Sequence, residues 1–244
     1  MYRPFVYSSA KYGRGHALRQ QWLGDLPVIL LAFVPSSSFS AREIAALIVL
    51  FVSFVCIYEL GYYENDRFAT LNETNPTPPV DDRGGYRVGA QAWIWFLVLS
   101  GIAAWLLQAG VSELGAWVVF GLSVRALFFV YNRTGVRRRV LIYPLLQVSK
   151  SFGFTILFPV NPTGVALLLA HALKRAMAYA IYRLDGRHRS FPMHAAGLLL
   201  FFLISVALMA GSRDAAPLGT IQFWLIVAWG VFRGGKEIVR GGNA

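Results

Sequence analysis

Long apolar runs separated by short polar and basic connectors dominate this chain. A run of about 20 apolar residues is what an α-helix needs to cross a hydrocarbon core of about 30 Å. Eight such stretches can be marked, at about 24–39, 42–63, 91–109, 113–131, 140–159, 162–182, 194–211 and 217–233. The predicted fold is therefore all-α, a polytopic membrane helical bundle of about eight transmembrane helices. Pro27 and Pro35 interrupt the first stretch and Ser36-Ser37-Ser38 ends it, an irregularity that neighbouring helices can satisfy. No repeat or low-complexity tract divides the sequence, so residues 1–244 read as one integral-membrane domain led by a basic segment, 1–22. The long Pro/Gly connector is TNPTPPVDDRGG, 74–85, and connectors of that kind tend to carry function.

Composition supports the pattern. Of the 244 residues 56% are hydrophobic and only 14% charged, against about 25% charged in soluble domains. The net charge is +11. In a soluble protein that would suggest nucleic acid, but in this chain it sets orientation. The N-terminal segment, the 64–90 connector, the Arg133 to Arg139 connector, the Arg183 to Arg189 connector and the C-terminus all carry Lys or Arg. The alternate connectors hold Arg42 and Arg213 alone. Basic connectors stay in the cytoplasm, so both termini are expected there, in a multi-pass protein of a bacterial inner membrane. Met1 to Trp22 lacks the apolar core of a cleavable signal. Cys56, the single cysteine, sits in an apolar run and is expected to be a buried, inert thiol.

The acidic residues are unevenly placed. Glu59, Glu64, Asp66, Glu73, Asp81 and Asp82 are half of the chain's 12 acids, gathered where the second span meets water. Helical continuation puts Glu59, Asp66 and Glu73 seven residues apart, on one face with about 20° of drift per step. Oxygen ligands on one face suit Mg²⁺, which completes its shell with water and phosphate oxygens. The competing reading is a solvated, charge-mixed connector.

Arg125, Lys150, Lys174 and Arg175 fall inside predicted spans, where an unpaired charge costs about 2.5–3.5 kcal/mol on insertion scales. Such cations line a polar cavity or pair with acids such as Glu59 or Glu113. A cavity on the fifth and sixth spans would draw diphosphate or phosphosugar groups. Arg133, in RTGVRRR, belongs to a positive-inside connector or to a phosphate-binding loop. Tyr62, with Tyr58 and Tyr63, lines a substrate cleft or forms an interfacial belt. His16, His171, His188 and His194 show no metal-ligand spacing and are expected in polar packing.

These residues also carry a family resemblance. FVCIYELGYYENDRFATLNE, 54–73, resembles the end of the second span of the UbiA-type intramembrane prenyltransferase superfamily, where an N-D-x-x-D-x-x-x-D motif follows an aromatic turn. Asn65 and Asp66 match its first two positions, and Glu73 stands for the last Asp. ALRQQWLGDLPVILLAFVPSSSF, 17–39, is similar to the first span, especially in the polyprenyl-phosphate phosphoribosyltransferase branch. VYNRTGVRRRVLIYPLLQVSKSFGF, 130–154, resembles the connector between the fourth and fifth spans. LLLAHALKRAMAYAIYRLDG, 167–186, resembles the sixth span and its approach to a second acidic motif. Ala69 replaces one Asp of the first motif, and Asp185 is the single acid of the second.

The resemblance implies a membrane transferase acting on a polyprenyl phosphate or diphosphate at a cytoplasm-facing cavity, with Mg²⁺ as cofactor. Asp66 would be the principal ligand, assisted by Asn65, Glu73 and Glu59, with Asp185 opposite. Lys150, Lys174, Arg175, Arg125 and Arg133 would hold phosphate oxygens, and Tyr62 would line the cleft. Two alternatives stay open. One is a non-catalytic relative acting as a subunit or lipid carrier for a partner enzyme. The other is a transporter or flippase for an anionic lipid.

Overall fold

The computed structural model describes residues 2–12, 21–36, 39–72, 85–135, 137–185 and 191–241. All regular structure among the described residues is helical. A short helix α1 (Val6–Tyr12) comes first. A π-turn (Gln21–Asp25) then leads into α2 (Leu26–Phe33). The long helices are α3 (Ala41–Asn72), α4 (Gly85–Leu107), α5 (Val111–Arg133), α6 (Arg139–Phe152), α7 (Pro162–Asp185), α8 (Met193–Ser212) and α9 (Ile221–Gly241). They form two compact units, residues 1–27 with 39–134, and residues 28–38 with 135–244.

Among the described residues five helical segments are long and apolar enough to cross a membrane: Ala41–Thr70, Val88–Leu107, Val111–Arg133, Pro162–Leu184 and Met193–Ser212. This is a multi-pass membrane protein. The other three expected spans take different forms. The first is the short helical stretch Gln21–Phe33, after which Pro35 sits in a 3₁₀ turn (Val34–Ser36). The fifth is α6 continued by a 3₁₀ turn (Gly153–Ile156), and the eighth is α9, which holds Arg233, Lys236 and Glu237 in its second half.

In the first unit α3 is the central element and packs on both α4 and α5. Most of its apolar window is buried, 72%, against 22% in α4 and 28% in α5. The outer helices therefore present Ile94, Leu97, Val98, Trp105, Val119 and Leu122 outward, as lipid-facing surfaces do. Two glycines set the helix spacing. A Cβ on Gly61 would lie 2.3 Å from the Phe128 ring, and one on Gly121 would lie 2.5 Å from the Phe96 ring. Small residues at such crossings let helices approach where no hydrophobic force drives them together. A buried hydroxyl ladder adds polar links. Ser53 Oγ donates to Phe96 O at 3.0 Å and lies 2.9 Å from Ser100 Oγ, which accepts from Trp117 Nε1 at 3.0 Å.

In the second unit α7 packs between α6 and α8, and α9 lies on α8. Gln222 of α9 explains how α2 can end early. Its Nε2 donates to Leu31 O at 2.9 Å and to Ala32 O at 3.1 Å, satisfying carbonyls that the proline break leaves open. Asn161 Nδ2 holds Gln222 Oε1 at 2.7 Å. Gly164 is required at this crossing, because a Cβ there would stand 2.4 Å from Ala32 O.

Candidate functional site

The spacing of Glu59 and Asp66 on α3 does place both on one buried face, at 1% and 4% exposure. The N-terminal segment lies along that face. Phe5 adopts a left-handed φ of 67°, and α1 starts directly after it. Glu59 caps this start: Oε2 accepts from Phe5 N at 2.9 Å and from the Tyr2 hydroxyl at 3.0 Å, and Oε1 accepts from Ser8 N at 2.8 Å. A carboxylate holding the first N–H groups of a helix satisfies donors that have no partner within the helix. Burial, with Glu59 beside it, pushes the Tyr2 phenol far above its usual range, so it remains a donor. Tyr2 is held further by Gln91 Oε1, which accepts from Tyr2 N at 2.6 Å.

One turn apart on α1, Tyr7 and Lys11 both reach Asp66. The Tyr7 hydroxyl and the Lys11 ammonium donate to Asp66 Oδ2. Burial lowers the Lys11 ammonium to about 8 from its ordinary 10.5. On the same helix, Asn65 Oδ1 and the Tyr63 hydroxyl are buried and meet no hydrogen-bond partner among the described residues. Glu64 pairs instead with Arg125 at the half-exposed edge of the unit. Tyr62 packs edge-on against Tyr58 and Phe128, with ring centroids 5.2 and 5.6 Å away. Arg133 is exposed and stacks over Phe129, 3.5 Å from the ring centroid.

The residues named for Mg²⁺ thus divide. Asp66 and Asn65 fit a cation. Asp66 already attracts one, the Lys11 ammonium, and Asn65, the preceding residue, has a buried carbonyl oxygen without a partner among the described residues. Glu59 does not fit, because both of its oxygens serve the N-terminal segment. Glu73 lies outside the described residues, as does the side chain of Asp185, the last residue of α7. Among the described residues no three His, Cys, Asp or Glu side chains cluster as a metal site.

The remaining cations belong to the second unit. Lys150 is half-buried in the last turn of α6. Lys174 and Arg175 are half-buried on α7, where Arg175 Nε donates to His171 Nε2 at 3.2 Å. Lys174 lines a cavity among α7, α8 and α9 with His171, His194 and Arg233. Arg233 Nη2 lies 3.1 Å from His194 Nε2. A guanidinium only donates, so each of these Nε2 atoms accepts, and both imidazoles are neutral with the proton on Nδ1. His194 and Arg233 are 39 residues apart, and sequence reading assigned one to polar packing and the other to a connector.

No protein-family model matches the chain, and neither a curated protein nor a solved structure is detectably similar to it. The site geometry and the motif in 54–73 therefore carry the functional reading.

Proposed function

We propose that this protein is an integral-membrane transferase of the UbiA prenyltransferase type, acting on a polyprenyl phosphate or diphosphate. The observation that carries it is Asp66, a buried carboxylate 4% exposed at the end of a membrane-crossing helix and already holding a positive charge. The proposal includes eight crossings, both termini on the cytoplasmic side of a bacterial inner membrane, and Mg²⁺ held by Asp66 and Asn65 with Glu73. The bound metal would supply Lewis-acid stabilisation of a departing phosphate or diphosphate.

The chain's own residues do the rest. Lys11 must leave Asp66 Oδ2 for another cation to use it. Burial brings the loss of its charge down to about pH 8, so a neutral Lys11 that releases Asp66 is reached at lower pH than for an ordinary lysine. Tyr58 and Tyr62, with Phe128, form an aromatic wall next to the acidic face, suited to an isoprenoid tail and to excluding water from the reacting carbon. Arg125 and Arg133, in the same unit as Asp66, remain candidates for contact with the phosphate.

A second reading, a non-catalytic relative that carries lipid for a partner, is favoured by one feature. The Lys11–Asp66 pair and the Glu59 cap are internally satisfied, as a purely structural acidic face would be. Mg²⁺-dependent turnover of a prenyl diphosphate by the purified chain, lost in Asp66→Ala, separates the two.

A further inference from the structure

The cavity among α7, α8 and α9 is built wholly within the second unit and contains neither Asp66 nor any other acidic lining residue. The space at its open mouth and within it is about 400 Å³, of which about 40 Å³ can hold the centre of a water-sized group. Lys174 and Arg233 bring positive charge to its wall. Arg175 stands one residue along, oriented by His171. The imidazoles accept from the arginines and add no charge of their own. Glu237, the nearby carboxylate of α9, is turned to the start of α8: its Oε2 accepts from His194 N at 2.7 Å and from Ala195 N at 3.3 Å. The rest of the lining is apolar, with Leu198, Phe201 and Trp229 among it.

The position of Lys174 depends on a missing side chain. A Cβ on Gly197 would stand 2.7 Å from Lys174 Cδ and 3.2 Å from Nζ, so glycine is what allows the lysine to lie across α8. Gly197 is four residues after Met193, the first residue of α8, or about 6 Å along the helix. The cavity therefore lies where the middle of α7 and of α9 meet the first half of α8. A charged lysine and arginine inside membrane helices need a partner of opposite sign or a polar space.

We propose that this cavity binds the phosphate group of an anionic membrane amphiphile without a metal ion. Lys174 supplies a point charge and Arg233 a planar fork, the two cation geometries that suit phosphate oxygens. Leu198, Phe201 and Trp229 receive the first carbons of the tail. None of its lining residues belongs to the acidic face of α3, and the site stands whether or not the chain is a transferase.

The test uses the full chain in dodecyl maltoside micelles with EDTA present, titrated calorimetrically with dioctanoyl phosphatidic acid. Dioctanoyl glycerol, which lacks the phosphate, and inorganic phosphate are titrated in parallel. Phosphatidic acid is expected to bind and dioctanoyl glycerol not to. Lys174→Met and Arg233→Met are each expected to weaken binding about tenfold or more, the loss of one charge-assisted hydrogen bond. Lys174→Arg is expected to keep most of it. Gly197→Ala, which retains every charge but displaces Lys174, is expected to weaken binding with the thermal transition of the fold still present. Inorganic phosphate binding as tightly as phosphatidic acid would overturn the amphiphile assignment. No binding in EDTA, or wild-type binding by both methionine variants, would overturn the site itself. Product formation with Mg²⁺ is a separate readout, so the transferase reading can fail while this site stands, and the reverse.

Discussion

Lys11 and Asp66 form an ion pair across 55 residues of sequence, with side chains only 10% and 5% exposed. The pair ties a short N-terminal helix to the end of a membrane-crossing one, and it is the contact on which both structural and functional expectations for the acidic face turn. Removing one partner of a buried pair leaves an uncompensated charge. Lys11→Met is therefore expected to destabilise the fold by about 3 kcal/mol. The double variant Lys11→Met with Asp66→Asn should recover much of that loss. Thermal unfolding in micelles reads both, and equal losses in the single and double variants would show that the pair is not coupled.

The same lysine gives the fold a pH dependence. Its pKa is about 8 in the folded protein and 10.5 when exposed, so between those values the unfolded chain binds more protons. Stability from this group therefore rises with pH from about 8 to 10.5 and is lowest below 8. Unfolding midpoints measured across that interval should show an upward contribution in the wild type that is missing in Lys11→Met.

Glu59 is expected to act as a cap for the N-terminal segment. Glu59→Ala leaves Phe5 N, Ser8 N and the Tyr2 hydroxyl without their acceptor. The expected cost is about 1–3 kcal/mol, confined to this segment. Hydrogen exchange should become fast at residues 5–11 and stay slow in α4 and α5. Uniformly faster exchange across the first unit would instead assign Glu59 a global packing role.

Glycines offer a paired test of the packing. Gly61→Ala forces a Cβ against Phe128 and is expected to cost about 1–3 kcal/mol. At Gly101 nothing lies within 4 Å of the added atom, and the better helix former should stabilise α4 by up to about 1 kcal/mol. Unfolding midpoints that move in the same direction for both would contradict the close α3–α5 crossing.

Much of this architecture can be read from residue order, and the exceptions have physical causes. The seven-residue spacing of Glu59 and Asp66 does put both on one face, because α3 stays helical for 32 residues through the acidic stretch. Apolar length alone also locates the five crossing segments. Pro35 marks the early end of α2, but the partner for its open carbonyls was not legible, since Gln222 lies 191 residues away from Leu31. The occupation of the acidic face by α1 was hidden for the same reason. Lys11 and Tyr7 look like ordinary members of a basic leader until the chain folds back. Arg233 and His194 each read as unremarkable alone, and only the packing of α8 on α9 brings them beside Lys174. Of the positive residues inside apolar runs Lys174 lines a cavity, though with α8 and α9 rather than with Lys150 of the fifth expected span.

The most direct test of the transferase account is turnover by the purified full chain in micelles with farnesyl diphosphate and Mg²⁺, the farnesyl group passing to an added hydroxyaromatic acceptor or to water, followed as release of diphosphate. The account predicts release that requires Mg²⁺ and falls at least a hundredfold, about 2.7 kcal/mol, in Asp66→Ala. Equal rates in Asp66→Ala and the wild type, or no release by a folded protein that still binds the lipid, would contradict it and leave the carrier reading in its place.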